Sequence, residues 1–158
     1  MSKRILVVDD DMSFVRLVER ILQGAGYEVN IATNGLNALK IVRDKNPDLV
    51  LLDIMLPGVD GFEICRRLRD APDTAQMPIL MGSSKSRKSD REMAIEVGAN
   101  DFYAKPIKSE ELLDMVENLL GLRSSTNDRE SVRQSAQDFL GDDNISPSRK
   151  GDLGDQRG

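Results

Sequence analysis

Ile5-Leu6-Val7-Val8-Asp9-Asp10-Asp11 is a run of four apolar residues that stops abruptly at three acids. A strand with one wet face alternates apolar and polar residues, so a continuous run of this length reads as a strand buried on both faces. Leu49-Val50-Leu51-Leu52 reads the same way and stops at Asp53. Val29-Asn30-Ile31-Ala32, Ile79-Leu80-Met81 and the weaker Phe102-Tyr103-Ala104 complete a set of five such runs. The segments between them carry apolar residues at helical spacing. Phe14, Val15, Val18, Ile21 and Leu22 fit one helix face, Ala38, Leu39 and Val42 a second, and Phe62, Cys65 and Leu68 a third. Met93, Ala94 and Val97 follow, then Leu112, Leu113, Val116, Leu119 and Leu120. Gly24, Gly26, Pro47, Gly98 and Gly121 are placed to end these helices.

Strand and helix thus alternate five times, which predicts an α/β domain with an open, mostly parallel sheet covered by helices on both faces. In such sheets the functional crevice lies outside the carboxyl ends of the strands. The residues at those ends are Asp9-Asp10-Asp11, Asp53, Ser83-Ser84 and Lys105-Pro106. Taken singly, each has an ordinary explanation: a helix cap, a turn aspartate, a loop. Taken together, they put carboxylates, a lysine and a hydroxyl into one crevice. Carboxylate oxygens suit a hard cation such as Mg²⁺. Charge stabilisation and positioning are what phosphoryl transfer requires.

Composition narrows the alternatives. The chain has 158 residues, 39% of them hydrophobic and 31% charged. That suits one globular domain with chain to spare. It contains no histidine, which excludes a histidine phospho-carrier, a Ser-His-Asp triad and any His-ligated metal within this chain. Its one cysteine, Cys65, cannot form an intrachain disulfide, in keeping with a reducing cytoplasm. A net charge of −5 argues against nucleic acid as a direct partner. No export signal and no membrane span is read. Residues 122–158 are rich in Ser, Asn, Asp, Arg and Gly, with six Lys/Arg against seven Asp/Glu. They are expected to form a polar, largely disordered tail, with a short helix possible over 127–141. Such a tail is too short and too polar to be expected to build a DNA-binding or catalytic domain.

Three stretches carry a resemblance to a known family. They are Ile5-Leu6-Val7-Val8-Asp9-Asp10-Asp11, then Asp48-Leu49-Val50-Leu51-Leu52-Asp53-Ile54-Met55-Leu56-Pro57-Gly58-Val59-Asp60-Gly61, then Gly98-Ala99-Asn100-Asp101-Phe102-Tyr103-Ala104-Lys105-Pro106. Over residues 1–121 the chain resembles the receiver domain of bacterial two-component response regulators. The resemblance implies a five-stranded, doubly wound, flavodoxin-like sheet in the order 2-1-3-4-5 with five helices. It implies that Asp53 is the phospho-acceptor and that Mg²⁺ is held by Asp10, Asp53, the backbone carbonyl of Met55, and Asp9 directly or through water. Lys105 would pair with Asp53 and then with the phosphoryl oxygens, Ser83 would be the switch hydroxyl, and Phe102 the switch aromatic. A cis Lys105-Pro106 bond is also implied. The partners would be a histidine kinase or phosphotransfer protein and a downstream protein that reads the face made by the fourth helix, fifth strand and fifth helix. The domain would load itself and lose its phosphate slowly without being an enzyme, since Met55 and Lys85 beside the acceptor are ill suited to orient a hydrolytic water. A receiver-like adaptor that is never phosphorylated is the competing reading, and the complete set of Asp9, Asp10, Asp53 and Lys105 weighs against it.

Two features stand apart from the family pattern. Gly82 lies where an aliphatic residue is usual, and a glycine there is expected to weaken the strand and loosen the Ser83 loop. The loop Ser83-Ser84-Lys85-Ser86-Arg87-Lys88-Ser89 is basic and serine-rich. It reads as a solvated segment or as a contact surface for an acidic partner.

Overall fold

The computed structural model describes residues 2–85 and 87–122. Five strands and five helices alternate: β1 (Arg4–Val8), α1 (Met12–Gly24), β2 (Glu28–Ala32), α2 (Gly35–Lys45), β3 (Leu49–Asp53), α3 (Gly61–Asp70), β4 (Ile79–Ser83), α4 (Lys88–Glu96), β5 (Asp101–Ala104) and α5 (Ser109–Leu119). The strands form one parallel sheet in the order β2-β1-β3-β4-β5, the flavodoxin-like arrangement. Residues 123–158, where a polar tail and a short helix over 127–141 were expected, lie outside the described residues.

The continuous apolar runs occupy the inner strands, as burial on both faces demands. Every residue of β3 and of β4 is buried. Strand residues alternate between faces, so Ile5, Val7, Leu49, Leu51 and Leu80 pack against Val15, Val18 and Leu22 of α1 and Leu112 and Val116 of α5. Truncating one of these fully buried leucines to alanine costs about 2–5 kcal/mol in comparable cores. β2, at the edge, is only partly buried.

The helix faces follow the expected spacing, with two departures. In α3 the fully buried side chains are Ile64 and Cys65, followed by Leu68, while Phe62 is half-buried. The face is rotated because Gly61, not Phe62, sits against the end of β3; a Cβ at Gly61 would collide with the Asp53 carbonyl. In α4 Ala94 is buried and Val97 just beyond the helix as well, while Met93 is half-buried, and no side chain caps the N-terminus at Arg87. α1, α2 and α3 are each capped by a side chain, from Asp11, Asn34 and Asp60 respectively. The segment between α3 and β4 is tied down by Arg69. Its guanidinium donates to the carbonyls of Met77 (2.7 Å) and Gly98 (2.8 Å) and to Asn100 Oδ1 (2.8 Å).

Gly82 does something other than loosen its strand. It pairs with Tyr103 across β4 and β5, and a Cβ at Gly82 would fall within the Tyr103 ring. The missing side chain is the space the tyrosine fills. Gly82 also accepts a hydrogen bond from Ile54 N (3.0 Å), which keeps the ends of β3 and β4 paired. The expectation of a loosened strand is therefore corrected: Gly82 and Tyr103 are one packing unit, buried on the α1/α5 side of the sheet.

This unit predicts a strongly non-additive pair. Gly82→Ala should lower stability by about 1–3 kcal/mol through overpacking. Adding Tyr103→Leu should recover most of that loss, because the leucine leaves room for the methyl group. Urea denaturation of the two single variants and the double variant measures it; additive losses would show that the ring and the glycine are not coupled.

Candidate functional site

The loops that leave the carboxyl ends of β1, β3, β4 and β5 meet at one edge of the sheet. Asp9 follows β1, and its backbone N–H is held by Ala32 O (3.0 Å). Its Oδ1 accepts from Asp11 N (2.9 Å), which turns the chain into α1. Asp11 Oδ1 in turn accepts from Ser13 N (3.1 Å) and Phe14 N (3.3 Å) as the N-cap. The acid run therefore divides its work. Asp11 caps the helix, while Asp9 and Asp10 face the crevice side with Asp53.

Asp53 is the last residue of β3 and is 5% exposed. Carboxylate oxygens of Asp9, Asp10 and Asp53 all lie within 4.8 Å of one another, with Asp9 and Asp53 buried and Asp10 exposed. Octahedral Mg²⁺ at about 2.1 Å from each ligand needs oxygens about 3–4 Å apart. The three carboxylates come close to that spacing and offer only hard oxygen donors, so the residues present fit this ion. Met55, two residues beyond Asp53, has an exposed side chain.

Lys105 supplies the positive charge. Its Nζ lies 2.5 Å from Asp9 Oδ2 and 3.6 Å from Asp53 Oδ1. The tighter partner is thus Asp9, where the family resemblance implied Asp53, which lies farther off. The Lys105 backbone is fixed by a hydrogen bond from its N–H to Ser83 O (2.9 Å), and the Lys105-Pro106 bond is cis. Ser83 is buried, and its Oγ accepts from Lys85 N (3.0 Å). Phe102 is buried as well, on the sheet face opposite Tyr103.

Burial, with the Asp9 charge nearby, raises the Asp53 carboxyl from 3.8 to about 6, while Lys105 and the Met55 amide pull it partway back. At neutral pH the group is still mostly ionised. The Tyr103 phenol is pushed well above its ordinary value by burial and by the Asp9 and Asp53 charges. Phe14 stacks on Tyr103 with ring centroids 6.3 Å apart, and Lys105 Nζ lies 4.3 Å from the Phe14 centroid. Sequence reasoning placed Phe14 and Tyr103 in the core and missed this contact with the site. The available signal was Gly82, whose missing side chain marks a close approach.

Comparison with known proteins agrees with this geometry. A family model described as the response regulator receiver domain matches residues 5–117. Response regulator PleD of Caulobacter vibrioides is 44% identical over 119 residues, which is 75% of this chain and 26% of that protein. A solved structure of a putative response regulator from Chloroflexus aurantiacus shares 40% identity with a TM-score of 0.75, covering 77% of this chain and 99% of the other. The receiver domain of sensor histidine kinase PA1611 from Pseudomonas aeruginosa, solved with a magnesium ion coordinated in its active-site cleft, shares 29% identity with a TM-score of 0.72. It covers 77% of this chain and 99% of that chain. The chain spans about a quarter of PleD and less than two thirds of the other curated relatives it matches.

The raised Asp53 pKa has a consequence for stability in buffer free of divalent cations. A carboxyl whose folded pKa exceeds its unfolded one costs folding free energy when ionised and nothing when neutral in both states. The Asp53→Asn protein should therefore be more stable than the parent above pH 6. That advantage should shrink as pH falls from about 6 and vanish near pH 4. Denaturant titrations of both proteins in chelator across this range test it. A stability difference independent of pH would show that ionisation of Asp53 is not the cause.

Proposed function

Because the chain belongs to the response regulator receiver domain family, we propose that it is a phosphorylation-controlled switch of two-component signalling, with Asp53 as the phospho-acceptor. The observation that carries this reading is the meeting of Asp9, Asp10, Asp53 and Lys105 at the carboxyl edge of a parallel sheet. An ionised Asp53 oxygen needs no general base to attack phosphorus. The new O–P bond forms as the P–N bond to a phosphohistidine on a kinase or phosphotransfer partner breaks, and the imidazole nitrogen leaves with the electron pair.

Repulsion between an anionic nucleophile and an anionic phosphoryl group is the barrier this site has to lower. Asp10, Asp53 and the Met55 carbonyl would hold Mg²⁺, with Asp9 reaching it directly or through water; when bound, the ion supplies charge neutralisation and orients the phosphoryl oxygens. Lys105 adds a second positive charge that is already in place. As the acyl phosphate forms, Asp53 ceases to be a full carboxylate, and Lys105 can turn from the acids to the phosphoryl oxygens.

Ser83 is ready to report the event. Its Oγ accepts from Lys85 N, so its own O–H remains to donate to a phosphoryl oxygen. Drawing Ser83 inward moves the loop that begins α4 and changes the packing around Phe102. The surface made by α4, β5 and α5 is then the part a downstream protein reads. The domain acts here as a self-loading switch with slow loss of phosphate, not as an enzyme turning over a substrate. Its place is the cytoplasm, and its partners are proteins, not nucleic acid. None of the helices among the described residues is long and apolar enough to cross a membrane. The complete acid set speaks against a constitutive adaptor that is never phosphorylated.

Incubation with a small phosphodonor and Mg²⁺, followed by intact-mass measurement, tests the reading. The parent should gain one acid-labile phosphate and Asp53→Asn none. Stoichiometric phosphate on the Asp53→Asn protein would move the acceptor elsewhere. Asp10→Ala should keep the fold, melt at an equal or higher temperature in chelator, and lose most of the added stability that Mg²⁺ confers on the parent. Equal Mg²⁺ stabilisation in both proteins would remove Asp10 from the ligand set.

A further inference from the structure

Lysine brings a flexible four-carbon stem and a compact charge, so an ammonium that must wait at a fixed point needs walls. At Lys105 two walls are the carboxylates of Asp9 and Asp53. The third is the Phe14 ring, 4.3 Å from Nζ to centroid. We propose that Phe14, backed by Tyr103, is a positioning residue that seats the Lys105 ammonium for phosphoryl transfer to Asp53. This inference rests on the phospho-acceptor reading above.

The seat is built from the floor upward. Gly82 leaves the space that admits the Tyr103 ring. Tyr103 presents a flat face on which Phe14 lies nearly parallel, at an interplanar angle of 15°. Phe14 is held from its other end by the helix cap, since Asp11 Oδ1 accepts from Phe14 N. The side of the ring that meets Nζ is electron-rich, so it attracts the cation. It offers no strong acceptor to compete with carboxylate or phosphoryl oxygens for the ammonium N–H groups, and it keeps water from that side. The Lys105 side chain is only 12% exposed. A leucine at position 14 would fill similar space without the attraction, leaving Lys105 free to sample other rotamers.

The role predicts a pattern among three full-length proteins. With small phosphodonor and Mg²⁺ both saturating, Phe14→Tyr should load Asp53 at the parental rate, because it keeps the ring. Phe14→Leu should load at least about fivefold more slowly, a change of about 1 kcal/mol in barrier, while melting close to the parent. Should Phe14→Leu fold poorly, Phe14→Met takes its place with the same expectation. Equal loading by the parent and the folded aliphatic variant, or slow loading by Phe14→Tyr, would overturn the proposal.

A second measurement needs no phosphorylation. Ring current from Phe14 should displace the NMR shifts of the Lys105 ε-methylene in the parent and in Phe14→Tyr, and the displacement should be lost in the aliphatic variant. Ordinary shifts in the parent would remove the seat. A parent that shows the displaced shifts but takes up no phosphate would keep the seat and overturn the phospho-acceptor reading along with the catalytic role derived from it.

Discussion

Carboxylates crowded into one crevice repel one another, and the ammonium of Lys105 is what allows the fold to keep the buried Asp9 and Asp53 together there. The pair at 2.5 Å to Asp9 and the looser one at 3.6 Å to Asp53 leave the charges unequally satisfied. Asp53 keeps the larger share of its desolvation cost, which is why its carboxyl is raised to about 6. A fully paired Asp53 would be a more comfortable residue and, in the acceptor role proposed above, a poorer nucleophile. The same constraint explains the architecture nearby. Gly61 lets α3 begin against the Asp53 carbonyl, the Ser83 carbonyl fixes the Lys105 backbone, and cross-strand pairing of Asp53 with Gly82 holds β3 to β4.

The parallel sheet adds a second source of positive potential. Each strand hands the chain to a helix at the same edge, so helix N-termini gather where the acids are. Their partial positive charge favours anions within a turn of the helix end. Side-chain caps on α1, α2 and α3 already use part of that capacity, from Asp11, Asn34 and Asp60. The acid run after β1 shows how closely fold and function are interleaved. Asp11 spends its carboxylate on the helix, and Asp9 and Asp10 are left to the crevice.

Much of this was readable along the chain because it depends on local order. A buried run that ends in a polar residue marks both a strand and the rim of the crevice, so the five strands and the positions of Asp9, Asp10, Asp53, Ser83 and Lys105 follow from simple pattern. What escaped depends on neighbours across the sheet. Gly82 seen along its own strand is a weakness; seen beside Tyr103 it is a complement, and only the β4–β5 register reveals that. The Phe14 contact with Lys105 joins residues at opposite ends of the domain sequence. The Arg69 knot has no periodicity at all, since one side chain serves carbonyls of irregular backbone. In α3 the pattern found Cys65 and Leu68 but took Phe62 where Ile64 is buried, because Gly61 makes the closest contact with the end of β3.

α4 fully buries only Ala94 along its length, with Val97 buried just beyond its last turn, and it begins without a side-chain cap. Such an element belongs to the low-stability end of the molecule, where backbone opening proceeds without unfolding the rest. A shallow anchor also imposes few demands on the outward residues of the helix, so that face can diversify between sister proteins at small cost to the core. The helix that begins beside the Ser83 loop is thus the one whose outward residues a substitution can change with least disturbance to the packed interior.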